Sequence, residues 1–76
     1  MLLNYNYWNY MDTSYKDFTF LASAELDSAS NKWNGRYRII NEEGIVVLES
    51  FVDPMDNETQ AQSNAETAAK SWIDQQ

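Results

Sequence analysis

Apolar and polar residues alternate along the chain between residues 16 and 26. The apolar positions, interrupted only by Leu21, are Phe18, Phe20, Ala22, Ala24 and Leu26. A two-residue period is typical of a strand with one buried face. The polar segment DSASNK that follows, residues 27–32, predicts a connecting loop.

The next stretch, KWNGRYRIINEEGIVVLES, predicts a β-hairpin. Asn41 suits the first position of a type I turn, and Gly44 can adopt the left-handed conformation that ends a three-residue loop with a bulge. The loop is then Glu42, Glu43 and Gly44, and Asn41 lies opposite Ile45.

A regular ladder continued from this turn assigns the two faces of the hairpin. The predicted core face carries Trp33, Tyr37, Ile39, Ile45, Val47 and Phe51. Phe51 is expected opposite Gly35, where it covers the exposed backbone. The predicted outer face carries Asn34, Arg36, Arg38, Ile40, Val46, Leu48, Ser50 and Val52.

A helix is predicted after Pro54, which prevents the last strand from continuing. Asn57 is the expected N-cap, with Gln60 placed to return a hydrogen bond. An apolar stripe follows at helical spacing and consists of Ala61, Ala65, Ala68, Ala69, Trp72 and Ile73. The pattern therefore predicts an α+β fold, a three-stranded antiparallel β-meander with one C-terminal α-helix packed on one face, a βββα two-layer sandwich.

The chain divides into an N-terminal Asn/Tyr-rich segment, residues 1–14, and a single βββα domain, residues 15–76. The first segment suits either an extra strand or a disordered tail. No proline protects the predicted strands at residues 16–26 and 45–52. Pairing of an edge strand with another chain is therefore open to this fold.

Four segments between residues 15 and 74, YKDFTFLASAEL, KWNGRYRI, VVLESF and AAKSWID, resemble small bacterial βββα proteins of unknown function. Those proteins share a W-x-G-x-Y-x-I strand and a final helix that ends in Trp-Ile-Asp. The matching residues are Trp33, Gly35, Tyr37, Ile39, Trp72, Ile73 and Asp74. The resemblance implies the fold and no reaction.

Composition and charge indicate the compartment of the protein and the partners it would avoid. The chain of 76 residues has no cysteine, which favours a reducing cytoplasm. We expect a soluble cytoplasmic protein, because the sequence shows neither a signal peptide nor an apolar run long enough to span a membrane. The net charge of −7 disfavours binding to nucleic acid and to anionic membranes, although it also suffices as a device for solubility.

Catalysis is not expected. The chain has no histidine and no cysteine, so it lacks the commonest general base, the thiolate nucleophile and the usual transition-metal ligands. The segment DPMDNE lacks the spacing of a calcium loop, and acids at a helix start explain it. We expect no cofactor, no metal and no small-molecule ligand.

Binding to a protein remains, either to a partner or to a second copy in a homodimer. The candidate partner-binding residues combine apolar area with guanidinium groups, as protein interfaces do: Arg36, Arg38, Ile40, Val46, Leu48 and Val52. The competing interpretation is a solvated face on which the arginine stems cover the aliphatic residues.

Two further hypotheses use other residues. A candidate acidic surface would let the chain act as a phage-type inhibitor or nucleic-acid mimic toward a basic partner: Glu42, Glu43, Glu49, Asp53, Asp56, Glu58 and Glu66. Single-stranded nucleic acid could instead stack on a strip formed by Trp33, Arg36, Tyr37 and Arg38. That strip requires Trp33 and Tyr37 to face outward, against the predicted register.

Overall fold

The computed structural model describes residues 12–76, which form an antiparallel sheet and one helix. The elements are β1 (Thr13–Tyr15), β2 (Phe18–Asp27), β3 (Lys32–Ile40), β4 (Val46–Phe51) and α1 (Glu58–Asp74). The strands lie in the order β1-β2-β3-β4, and α1 packs on β2 and β3. The α+β class with a C-terminal helix on the sheet is confirmed, but the sheet has four strands where three were predicted.

The additional strand, β1, is too short to produce a periodic pattern in the sequence. Thr13 pairs with Phe20, and a two-residue turn at Lys16 and Asp17 joins β1 to β2. Lys16 occupies the left-handed region with φ of 56°. The Asn/Tyr-rich segment predicted for residues 1–14 lies outside the described residues except for its end, which belongs to β1.

The turn between β3 and β4 forms as predicted. The backbone N–H of Asn41 donates to the carbonyl of Ile45 at 2.9 Å, and the N–H of Gly44 donates to the carbonyl of Asn41 at 3.0 Å. The Asn41 side chain also accepts from the N–H groups of Glu43 and Ile45. Gly44 has φ of 82°, the conformation that glycine adopts without strain.

The register beyond the turn differs from the prediction by one residue. Ile40 pairs with Val46 as expected, but Ile39 pairs with Leu48, because a β-bulge inserts Val47 as an extra residue in β4. Since side chains alternate along a strand, one extra residue exchanges the two faces for the rest of β4.

The predicted face assignment is therefore right for β3 and wrong for β4 after the bulge. Leu48 and Val52 pack on the core beneath α1. Phe51, predicted as a core residue opposite Gly35, pairs with Arg36 and is 67% exposed. Ile45 and Val47, also predicted to be in the core, are exposed as well.

Small residues let α1 approach the sheet. Ala61, Ala65 and Ala69 are fully buried, as their place in the predicted stripe requires. A Cβ atom added to Gly35 would lie 2.3 Å from the backbone carbonyl oxygen of Ala61. Gly35 is therefore covered by α1 and Val52, and not by Phe51.

Both ends of α1 are fixed by side chains. The Asn57 side chain caps the helix by accepting from the N–H of Gln60 at 2.8 Å, as predicted. The side-chain amide of Gln60 donates to Asn64 and so does not return the expected bond. At the other end, Asp74 accepts from Tyr15 Oη at 2.9 Å and contacts Lys16 Nζ at 2.5 Å.

The contacts among Asp74, Lys16 and Tyr15 shift the pKa values of all three side chains. The hydrogen bonds from Lys16 and then Tyr15 hold the pKa of the Asp74 carboxyl below its usual range. The same contact raises the pKa of Lys16 and of Tyr15 above their usual values. An acid in the last turn opposes the helix dipole, and Lys16 supplies the compensating positive charge.

Candidate interaction surface

The sheet face turned away from α1, called here the outer face, holds most of the predicted partner-binding residues. Arg36 and Arg38 lie on it opposite Ser23 and Leu21 of β2, and Ile40 lies opposite Thr19. Val46 joins them through its pairing with Ile40. Leu48 and Val52 do not, and their assignment to this face is wrong because of the bulge.

The arginines of the outer face are ion-paired across strands. Arg38 Nε lies 2.6 Å from Glu49 Oε2 of β4, and Arg36 Nη2 lies 3.6 Å from Glu25 Oε2 of β2. These four charges cancel, so the middle of this face is locally neutral in a chain whose net charge is −7. The net negative charge would make two copies of this chain repel one another, but the middle of the outer face adds no charge to that repulsion.

The outer face is not uniformly solvated. Leu21 and Ser23 of β2 are both buried although α1 lies on the opposite side of the sheet. Leu21 lies opposite Arg38 and Ser23 lies opposite Arg36, so arginine stems lying over the outer face would also bury these two positions. Both faces of β2 therefore contain residues that are shielded from solvent.

Exposed apolar side chains concentrate on β4 and the turn that leads into it. Phe51 is 67% exposed, Ile45 58%, Val46 45% and Val47 39%. We call these four residues, together with Glu49, the β4 patch. Exposed apolar residues grouped on one strand mark sites of association more often than isolated ones do.

Within residues 12–76, β4 is an edge strand, and one side of its backbone has no neighbouring strand. The N–H of Val52 donates to the carbonyl of Gly35, and Ser50 pairs with Tyr37. In an antiparallel ladder the residues between these pairs direct their N–H and C=O groups to the other side. Glu49 and Phe51 therefore point their backbone groups away from β3, toward the open edge of the sheet.

A shallow hollow lies beside this edge and is lined by Arg36, Tyr37, Glu49, Ser50 and Phe51. Its volume of about 100 Å³ is small beside the roughly 300 Å³ or more of small-molecule sites. Across residues 12–76, no group of three or more acidic, histidine or cysteine side chains is placed to hold a metal ion.

The seven residues of the candidate acidic surface are not brought together. Glu49 lies on the outer face in its ion pair with Arg38, whereas Glu66 projects from α1 on the opposite side of the sheet. Asp56 contacts Lys32 Nζ at 2.5 Å, and this contact lowers the pKa of its carboxyl. Two of the seven acids are therefore already paired with cations of the same chain.

The residues of the proposed nucleic-acid strip lie on different faces. Tyr37 pairs with Ala22 and packs against the core beneath α1, while Arg36 and Arg38 face the other way. Trp33 exchanges backbone hydrogen bonds with Met55 beside the start of the helix. A base stacked on Tyr37 could not lie over the arginines of the outer face.

The sequence reasoning placed one important residue of this surface, Phe51, on the wrong face. Phe51 was assigned to the core because strict alternation was carried through β4. The run Ile45-Val46-Val47-Leu48 is the available signal, since four consecutive apolar residues after a turn do not fit a simple two-residue period.

Comparison of the chain with family models, with curated proteins and with solved structures found no match. The resemblance to small bacterial βββα proteins therefore stays a prediction. Among the described residues, no helix is long and apolar enough to cross a membrane.

Proposed function

We propose that this chain is a non-enzymatic protein-interaction module that binds a protein through the β4 patch and the free edge of β4. The proposal places it in the cytoplasm, the compartment that a cysteine-free sequence favours. It also treats the chain as a relative of the small bacterial βββα proteins that its Trp33, Gly35 and Asp74 segments resemble.

The exposure of Phe51 carries the proposal. A domain of this size buries only about 60% of the surface of its unfolded chain, so apolar side chains are scarce in its core. Phe51 is nevertheless 67% exposed, beside three more exposed apolar residues on the same hairpin. Aromatic residues left outside a small core are the usual anchors of protein interfaces.

The proposal that the chain is not an enzyme rests on the chemistry of its side chains. The sequence has neither histidine nor cysteine, and the hollow beside β4 is too small for a typical ligand. Two of its lining residues are engaged in ion pairs, Arg36 with Glu25 and Glu49 with Arg38. An edge strand with exposed apolar side chains and outward backbone groups suits recognition by strand addition.

Photo-crosslinking in cells that naturally express the chain tests this function. A photoreactive phenylalanine analogue at Phe51 should give a protein adduct, because this side chain would lie inside the interface. The same analogue at Leu26 is the matched control, since Leu26 is also an exposed apolar strand residue, at 50% exposure, but lies outside the β4 patch. Equal adducts from both positions, or none from Phe51, would refute the proposal.

A further inference from the structure

We infer that the protein bound at β4 is a second copy of this chain, paired antiparallel along β4 around a two-fold axis at Ser50. The inference rests on the proposed function and names its partner. A second copy offers the same edge, so the two strands would join their sheets into one of eight strands across the described parts of both chains.

The hydrogen bonds of the edge select this arrangement. Glu49 and Phe51 are the residues after the bulge within β4 whose N–H and C=O groups point outward. With the axis at Ser50, Glu49 of each copy lies opposite Phe51 of the other. Both residues then exchange their N–H and C=O groups in pairs, and every outward group of these residues finds a partner.

The side chains on the helix side of the strand are self-complementary. The helix-side residues of β4 and the position after it are Leu48, Ser50 and Val52, in the order apolar, small polar and apolar. This order is unchanged when the strand is reversed about Ser50. Leu48 would lie opposite Val52 of the second copy, and both are only half-buried in one chain. The two Ser50 hydroxyls would meet at the axis, where small side chains fit the close pairs of an antiparallel ladder.

The outer face also accommodates the pairing. Phe51 of one copy would lie opposite Glu49 of the other, whose charge is balanced by its ion pair with Arg38 at 2.6 Å. The aromatic ring can then cover a neutral ion pair, and no unpaired charge is buried. This pairing would cover part of the Phe51 ring, which is 67% exposed in one chain.

Shifting the axis by one residue is unfavourable in either direction. An axis at Glu49 places the two Glu49 carboxylates opposite one another, which destabilises a cross-strand pair. An axis at Phe51 places Glu49 opposite Asp53 of the second copy, with the same result. Ser50 is therefore the centre that avoids like charges on adjacent strands.

The rest of the fold leaves room for this partner. The helix packs on β2 and β3, so β4 remains accessible from the side of Ser50. The bulge at Val47 twists the start of β4 and confines regular pairing to the residues that follow it. The predicted contact is therefore short and should be of modest affinity.

Disulfide trapping tests the register directly, because the chain has no cysteine of its own. The Ser50→Cys variant should form a disulfide-linked dimer on mild oxidation, since directly opposed residues in such a pair have Cα atoms about 4.5 Å apart. Glu49→Cys and Phe51→Cys are the matched controls and should crosslink far less. Equal crosslinking of all three, or crosslinking greatest at position 49 or 51, would overturn the inference.

Equilibrium association of the cysteine-free protein provides the second measurement. Sedimentation over a concentration series should show a monomer–dimer equilibrium, and Phe51→Ser should weaken it by about tenfold or more, as loss of an aromatic anchor does. Leu26→Ser should leave it unchanged. Added salt should strengthen association because each copy carries a net charge of −7, whereas salt would weaken binding of an acidic mimic to a basic partner.

The two proposals fail differently. A protein that stays monomeric at every concentration, with no Ser50→Cys dimer, overturns the inference of a second copy. If the photoreactive residue at position 51 then captures a different protein while the Leu26 control does not, the interaction function stands. If neither a dimer nor a specific adduct forms, both proposals fail.

Discussion

Replacement of Gly35 by alanine tests the close contact between β3 and α1. The added Cβ would lie 2.3 Å from the carbonyl oxygen of Ala61 and 2.9 Å from Cγ2 of Val52. Real Cβ atoms essentially never come within 3.0 Å of a heavy atom to which they are not bonded through their own or a neighbouring residue, so α1 or β3 must move by at least 0.7 Å. The first obstacle is backbone, which cannot rotate away.

The expected effect follows from two opposing terms. Replacing glycine with alanine at an unstrained position stabilises a protein by about 0.4–1 kcal/mol through the unfolded state. Overpacking a well-packed core costs about 1–3 kcal/mol. The second term should dominate here, so we expect Gly35→Ala to lower the free energy of unfolding by about 1–2 kcal/mol. In a domain of this size the corresponding fall in Tm is about 4–16 °C.

Urea and thermal unfolding followed by circular dichroism measure this change. Asn34→Ala is the control on the neighbouring outer-face residue and should lie within about 0.5 kcal/mol of the parent. The double variant Gly35→Ala with Val52→Ala should show little rescue, because trimming Val52 leaves the Ala61 carbonyl in place. A neutral or stabilising Gly35→Ala, or full rescue by Val52→Ala, would refute the account of the contact.

The remaining predictions concern the two ends of α1. Asn57→Ala should destabilise the protein by about 1 kcal/mol in urea unfolding because it removes the acceptor for the backbone N–H of Gln60, while Asn57→Asp should retain most of the stability. Asp74→Asn should slightly lower the Tm at neutral pH. Because the pKa of Asp74 is depressed in the folded state, the Tm difference from the parent should be lost as pH falls below about 4 and through that depressed pKa. A Tm difference that stays constant across this pH range would contradict the assigned role of Lys16 and Tyr15.

Local signals in the sequence predict most of this fold. The turn chemistry of Asn41 and Gly44, the Asn57 cap and the alanine stripe each act over a few residues, and each appears in the structure where it was expected. The strand β2 forms where alternation predicted it, but its burial does not alternate, because Ser23 is buried and Leu26 is 50% exposed. The inward placement of Tyr37 and Ile39 follows from the same alternation. These elements are predictable because backbone conformation and neighbouring residues decide them.

The candidate surface was predicted less well because it depends on how β4 is aligned. One bulge residue at Val47 moves Phe51 outward and Leu48 inward, and no short-range rule requires the bulge at that position. The three-residue β1 was missed because it has less than two periods of alternation. Asp74 matched the resembled pattern without a packing reason, and its bonds to β1 and the following turn supply one.

The two edges of the described sheet differ in how accessible their backbone groups are to a partner strand. Ala22 of β2 directs its carbonyl away from β3, beyond the end of the short β1, and the side-chain amide of Gln62 donates to it at 2.8 Å. A side chain of α1 therefore occupies an acceptor that another strand would use. At β4 the outward backbone groups of Glu49 and Phe51 have no comparable cover from α1, which packs on β2 and β3. Within residues 12–76, strand addition is thus hindered at Ala22 and open at β4, the side that also carries the exposed aromatic ring.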